Sequence, residues 1–147
     1  MTLRRNATMP IESAKALLRQ AGLRCTAARV AVIQSLSEST TPMSSGEVSD
    51  DLAEYGFDKS TIYRSLTELD ESGLAVRIEL GESVRRYELL PVGQKESSTH
   101  PHFMCISCGK IICLTGFHVD LVADHGPDKL PVELTEVLLK GRCDTCC

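Results

Sequence analysis

Three observations predict an α+β chain built in two parts. Apolar residues recur at helical spacing from Ile11 to Leu69, two segments with the period of a strand flank Gly81 to Ser83, and Cys-x-x-Cys pairs stand at residues 105–108 and 143–146. The first two predict an amino-terminal winged helix-turn-helix domain over residues 1–90. The third predicts a small α/β domain over residues 100–147, closed by a zinc site of four cysteines. The segment LPVGQKESST, rich in Pro, Gly and polar residues, supplies a hinge at 91–99.

Each element has its own warrant. Ile11, Ala14, Leu17, Leu18 and Ala21 line one face of a first helix that stops at Gly22. Thr26 caps a second helix, with Val30, Ile33 and Leu36 along one face, and the breaker cluster Ser37 to Ser45 ends it. Val48, Leu52 and Tyr55 mark a third helix. Asp58 or Ser60 caps a fourth, which buries Ile62, Leu66 and Leu69 and ends at Gly73. LAVRIEL and VRRYELL then alternate as a hairpin, the expected wing. Beyond the hinge, HPHFMC and KIICL read as strands, FHVDLVADHG as a short helix and ELTEVLLKGRC as a last strand.

Composition bounds the chemistry. The 147 residues are 42% apolar but only 4% aromatic, which predicts a modest aliphatic core. There is no apolar run of signal-peptide or membrane-spanning length, so a cytoplasmic protein with no membrane partner is expected. Seven cysteines in a reducing compartment point to metal rather than disulfides. The net charge is −4, yet before position 31 Arg4, Arg5, Lys15, Arg19, Arg24 and Arg29 face a single Glu12. That excess is either a solvated face or a patch for phosphates, with Lys15 and Arg19 on the first helix.

Cys105, Cys108, Cys143 and Cys146 form the ligand set of a closed tetrahedral zinc site, and the long gap between the pairs means that the ion ties the last strand to the first. A redox reading of either pair lacks the surrounding pattern of a thioredoxin-like motif. His100 and His102 remain, on alternate positions of a strand and so on one face, where they could share a second metal. Glu88 and Cys113 are further candidate ligands, though Cys113 also reads as a small core residue. His118 and His125 read as ordinary helix or loop histidines. On the fourth helix, Ser60, Thr61, Tyr63 and Arg64 lie opposite the apolar face, on the side that would meet a DNA groove; Tyr63 alternatively borders the core.

In order along the chain, LRCTAARVAVIQSL, KSTIYRSLTELDESGLA, RRYEL, HPHFMCISCGKII and GRCDTC resemble the successive signatures of the ferric uptake regulator family, bacterial metal- and peroxide-responsive repressors. The resemblance implies a homodimer, with the carboxy-terminal domain as dimerisation domain, a structural zinc on the four cysteines and a regulatory divalent metal near the hinge that favours binding to a double-stranded DNA operator. It implies Tyr63 and Arg64 as the DNA-reading pair and Glu88, His100 and His102 as hinge ligands. Pro42 stands where members commonly place a histidine, the linker before His100 is long, and Cys113 stands where Asp or Glu is usual. Thr99, Pro101 and Thr135 replace ligands of a further site, so none is expected there.

With Cys113 as fourth ligand, two imidazoles, a carboxylate and a thiolate favour Zn2+ over Fe2+ or Mn2+. The expectation is a zinc-responsive repressor of metal-homeostasis or oxidative-stress genes. Alternatives are an iron or peroxide sensor, or a member that binds DNA without sensing metal. No Cys-His-Asn pattern, phosphate loop or catalytic zinc signature supports an enzyme, and no small organic substrate is expected.

Overall fold

The computed structural model describes residues 7–79, 84–90, 101–114, 116–126, 131–132 and 136–147. The chain divides into two compact units, Met1–Lys95 and Glu96–Cys147. Its fold is α+β, a winged helix followed by a small domain with a cysteine cluster. Among the described residues no helix is long and apolar enough to cross a membrane.

The amino-terminal unit runs α1 (Ile11–Gln20), α2 (Ala27–Glu38), β1 (Met43–Ser44), α3 (Ser45–Asp51), a 3-10 turn (Ala53–Tyr55), α4 (Lys59–Glu71), β2 (Ala75–Glu79) and β3 (Arg85–Leu89). Thr26 caps α2 as its side chain predicts, accepting from the Arg29 amide at 3.3 Å. Ser44 and Glu47 form a reciprocal capping box on α3. Asp58 takes the cap position of α4 through its backbone, while the Ser60 hydroxyl donates to its carboxylate. Gly73 holds φ at +79° so that the Leu74 amide can reach back to Leu69 and turn the chain from α4 into β2.

Leu18, Ile33, Val48, Ile62, Leu66 and Leu69 are fully buried at the centre of one continuous core. The three inward residues expected on α4 are all there. Four expectations need correction. α2 buries Ala28, Ala31 and Val32 besides Val30, Ile33 and Leu36, because it is the central helix and packs on α1, α3, α4 and β3 rather than offering one face. Ile11, the first residue of α1, is 53% exposed. Tyr55 falls outside α3, which ends at Asp51; its ring is exposed and stacks on Phe57 with centroids 5.9 Å apart. The breaker segment after α2 contains β1, which pairs with β3 through Met43↔Tyr87 and Ser44↔Arg86, so the wing is the three-stranded sheet β1-β3-β2. The expected turn at Gly81 to Ser83 lies outside the described residues.

The carboxy-terminal unit contains a sheet of order β5-β4-β6, made of β4 (His102–Cys105), β5 (Ile111–Cys113) and β6 (Leu138–Gly141). β5 runs antiparallel to β4; β6, reached by a long connection, runs parallel to it. The helix expected at FHVDLVADHG is absent from residues 117–126, where Phe117, Leu121 and Val122 are exposed. Among the described residues, these apolar side chains cover no surface of their own unit, and helical stability comes mainly from such packing.

Candidate metal centres and nucleic-acid interface

The cysteine cluster follows from the sheet. Cys105 ends β4, and its amide donates to the Lys110 carbonyl at 2.8 Å, closing a tight loop that carries Cys108. Gly109, at φ +72°, supplies the turn and points its own amide back to the Cys105 carbonyl at 2.9 Å. The parallel ladder sets Cys105 opposite Gly141, so the chain leaving β6 delivers Cys143 and Cys146 to the same place. The four sulfurs lie within 4.8 Å of one another. Cys108 Sγ and Cys143 Sγ are 3.8 Å apart, which matches the edge of about 3.8 Å that bonds of about 2.3 Å give in a tetrahedral zinc–thiolate site.

Electrostatics agrees with that geometry. The Cys143 and Cys108 amides draw the Cys105 thiol down from the ordinary 9.0 to about 6, and the Cys143 amide stands 3.4 Å from Cys105 Sγ. Cys143 is lowered chiefly by the Thr145 hydroxyl. Cys146 is pushed up to about 12, first by the proton it shares with Cys143 and then by Cys108. A thiol cluster that favours the thiolate at Cys105 and keeps the proton on Cys146 is suited to a cation that would replace that proton. The residues therefore fit zinc: when bound, the ion supplies a cross-link between β4 and the end of the chain.

Of the expected second ligand set, register pairs His102 with Cys113 across β4 and β5, so their side chains share one face. Their ligand atoms lie within 4.8 Å of one another. His102 is buried and Cys113 half-buried. Glu88 sits half-buried on β3 opposite Val76. His100 lies outside the described residues. His118 and His125 are exposed.

On α4, Ser60, Tyr63 and Arg64 are exposed and Thr61 is half-buried. Tyr63 is 47% exposed, so it does not merely border the core. An Arg85 N–H on the wing donates to its hydroxyl at 3.3 Å. Lys15 is partly occupied by Glu12 at 3.5 Å, whereas Arg19 is exposed. Arg29, one of the amino-terminal cations, is turned into an ion pair with Glu68; Arg4 and Arg5 lie outside the described residues. Sequence reasoning missed Arg85 as a neighbour of Tyr63. The signal for it lies in the pairing register of the wing, which sets β3 beside β2, the strand that packs on α4.

A winged helix joined to a small domain with a thiolate metal site defines a class of metal-binding regulator. The model of the ferric uptake regulator family matches residues 20–140. The chain is similar to the ferric uptake regulation protein of Pseudomonas aeruginosa, 36% identical over 98 residues that cover 65% of this chain and 69% of that one. It is also similar to the peroxide-responsive repressor PerR of Staphylococcus aureus, 30% identical over 104 residues covering 69% and 66%. The ferric uptake regulation protein of Campylobacter jejuni is 30% identical over 106 residues, 69% of this chain, which spans 64% of that relative's length. Among solved structures, the P. aeruginosa regulator with manganese aligns at 28% identity with a TM-score of 0.61, covering 89% of this chain and 98% of that one. The Helicobacter pylori ferric uptake regulator shares the fold at 21% identity, with a TM-score of 0.64 and 96% of each chain covered. The chain belongs to the ferric uptake regulator family, whose members are metal-responsive transcription regulators and not enzymes.

Proposed function

We propose that this chain is a homodimeric, DNA-binding transcriptional repressor whose affinity for its operator depends on a second, regulatory metal ion, Zn2+ in preference to Fe2+ or Mn2+. The observation that carries the reading is the cross-strand pair His102 and Cys113, an imidazole and a thiolate donor that the four-cysteine site does not use. A borderline-soft ion suits that pair better than manganese. Glu88 and His100 are the proposed remaining ligands, on the family resemblance. Because Glu88 belongs to the wing and the other three to the carboxy-terminal domain, the ion would favour one arrangement of the two by its difference in affinity for the alternatives.

The same reading gives α4 to the major groove, with Ser60, Thr61, Tyr63 and Arg64 toward the bases and phosphates and Lys15 and Arg19 toward the flanking backbone. The dimer is supported by the apolar residues that the carboxy-terminal unit leaves exposed, Phe117, Leu121, Val122 and Val132 among them. A second reading, an iron or peroxide sensor, is favoured by the similarity to PerR. In that case oxidation of Cys113 would abolish DNA binding.

The test is a titration of labelled duplex DNA with protein carrying zinc only on the cysteine cluster, repeated after a further equivalent of Zn2+, Fe2+ or Mn2+. Salt-sensitive binding that appears with the second zinc supports the proposal. Binding that is equal with and without it contradicts metal control, and a response only to Fe2+ that peroxide reverses would select the second reading.

A further inference from the structure

The surface of α4 proposed for DNA carries acid as well as base. Glu68 and Glu71 line the same shallow groove as Ser60, Tyr63, Arg64 and Thr67. A carboxylate there opposes phosphates, and Glu68 lies four residues beyond Arg64, the helical spacing at which the two side chains can pair and cancel. Glu68 is engaged elsewhere. Its Oε2 accepts from Arg29 Nε at 2.9 Å and from a terminal Arg29 nitrogen at 2.6 Å. The other terminal nitrogen of Arg29 donates to the Arg24 carbonyl at 2.9 Å. The Arg29 side chain is 15% exposed and that of Glu68 31%. Arg29 stands in the first turn of α2, where its amide is already fixed by the Thr26 cap. Its guanidinium is therefore held from two sides in the plane that a forked donor requires, an orientation that an ammonium group does not impose.

We infer that Arg29 is a positioning residue for DNA reading: it neutralises Glu68 and turns it toward α2, which leaves the Arg64 guanidinium available to DNA. This deepens the proposed role of α4 and rests on it. Without Arg29, the Glu68 carboxylate would turn to Arg64, and its unneutralised charge would repel the approaching phosphates. The effect on binding would then exceed any loss of packing between α2 and α4, and removing the carboxylate as well would reverse it.

The experiment compares the full-length, zinc-loaded wild type with Arg64→Ala, Arg29→Met, Glu68→Gln and the double variant Arg29→Met/Glu68→Gln. It measures affinity for duplex DNA at two salt concentrations, beside thermal unfolding. Arg29→Met should weaken binding by on the order of tenfold and reduce the salt slope by about 1, as the loss of one phosphate or base contact does. Glu68→Gln should bind near wild type, and the double variant should return to within about threefold of it. A double variant as weak as Arg29→Met would overturn the inference and leave a purely structural ion pair. If Arg29→Met does not fold, the comparison passes to Arg29→Lys, which keeps the charge and loses the fork; a loss there that Glu68→Gln does not restore overturns it equally. Unaltered binding by Arg64→Ala is the separate result that removes α4 from the interface, whatever Arg29 does.

Discussion

Leu18, Ile33, Val48, Ile62, Leu66 and Leu69 meet in one apolar core in the amino-terminal unit, drawn from every helix. In the carboxy-terminal unit the buried side chains among the described residues are Pro101, His102, Cys105, Ile111 and Cys143. The first unit gathers apolar area removed from water, whereas the buried set of the second is largely donors that could hold a cation. The exposed Phe117, Leu121 and Val122 add to the contrast, and in the proposed dimer a second copy of the chain would cover them. Under the proposed function the difference would have a sense: the domain assigned to DNA would keep its shape without metal, while the structure of the domain assigned to metal would depend on ligation.

Predictions that would break this comparison rank by size. Cys105→Ser should have the largest effect, removing the structural zinc and unfolding the carboxy-terminal unit, with dimerisation lost in the same step. Sedimentation and zinc analysis check it; a zinc-loaded, dimeric variant would end the assignment. Leu66→Ala should cost the amino-terminal unit about 3 kcal/mol in denaturant unfolding, as cavity-forming core changes do, and leave zinc content unchanged. Arg64→Ala should cost operator binding about 1–3 kcal/mol with the thermal transition near wild type. An effect of similar size, about 1–3 kcal/mol in metal-dependent coupling, should vanish in His102→Ala and Cys113→Ser. Both should keep the structural zinc on the four cysteines and lose the second ion by metal analysis, so identical metal content would refute the second site. Thr26→Ala should cost about 1 kcal/mol of stability by loss of the α2 cap.

Local signals in the sequence carried far, and their failures are instructive. The Thr26 cap, the inward face of α4 and both Cys-x-x-Cys pairs were legible because each depends on neighbours within a few residues. β1 was not, because two residues cannot display a period and Met43 and Ser44 become a strand only by pairing with β3. The pattern at 117–126 misled for the opposite reason: apolar spacing was present, but helix needs a surface to pack on. His102 and Cys113 were each readable as donors. Their opposition across β4 and β5 depends on strand register, as the Arg85 contact to Tyr63 depends on the wing lying beside α4. The tie between Arg29 and Glu68 spans 39 residues and has no local trace.

Hydrogen exchange of the full-length protein, before and after zinc is stripped by a chelator, tests the contrast most directly. The account predicts that amides of β4 to β6 lose protection on chelation, while those of Ile33, Leu66 and Leu69 keep theirs. Retained protection in β4 to β6 without metal, or equal loss in both units, would contradict it.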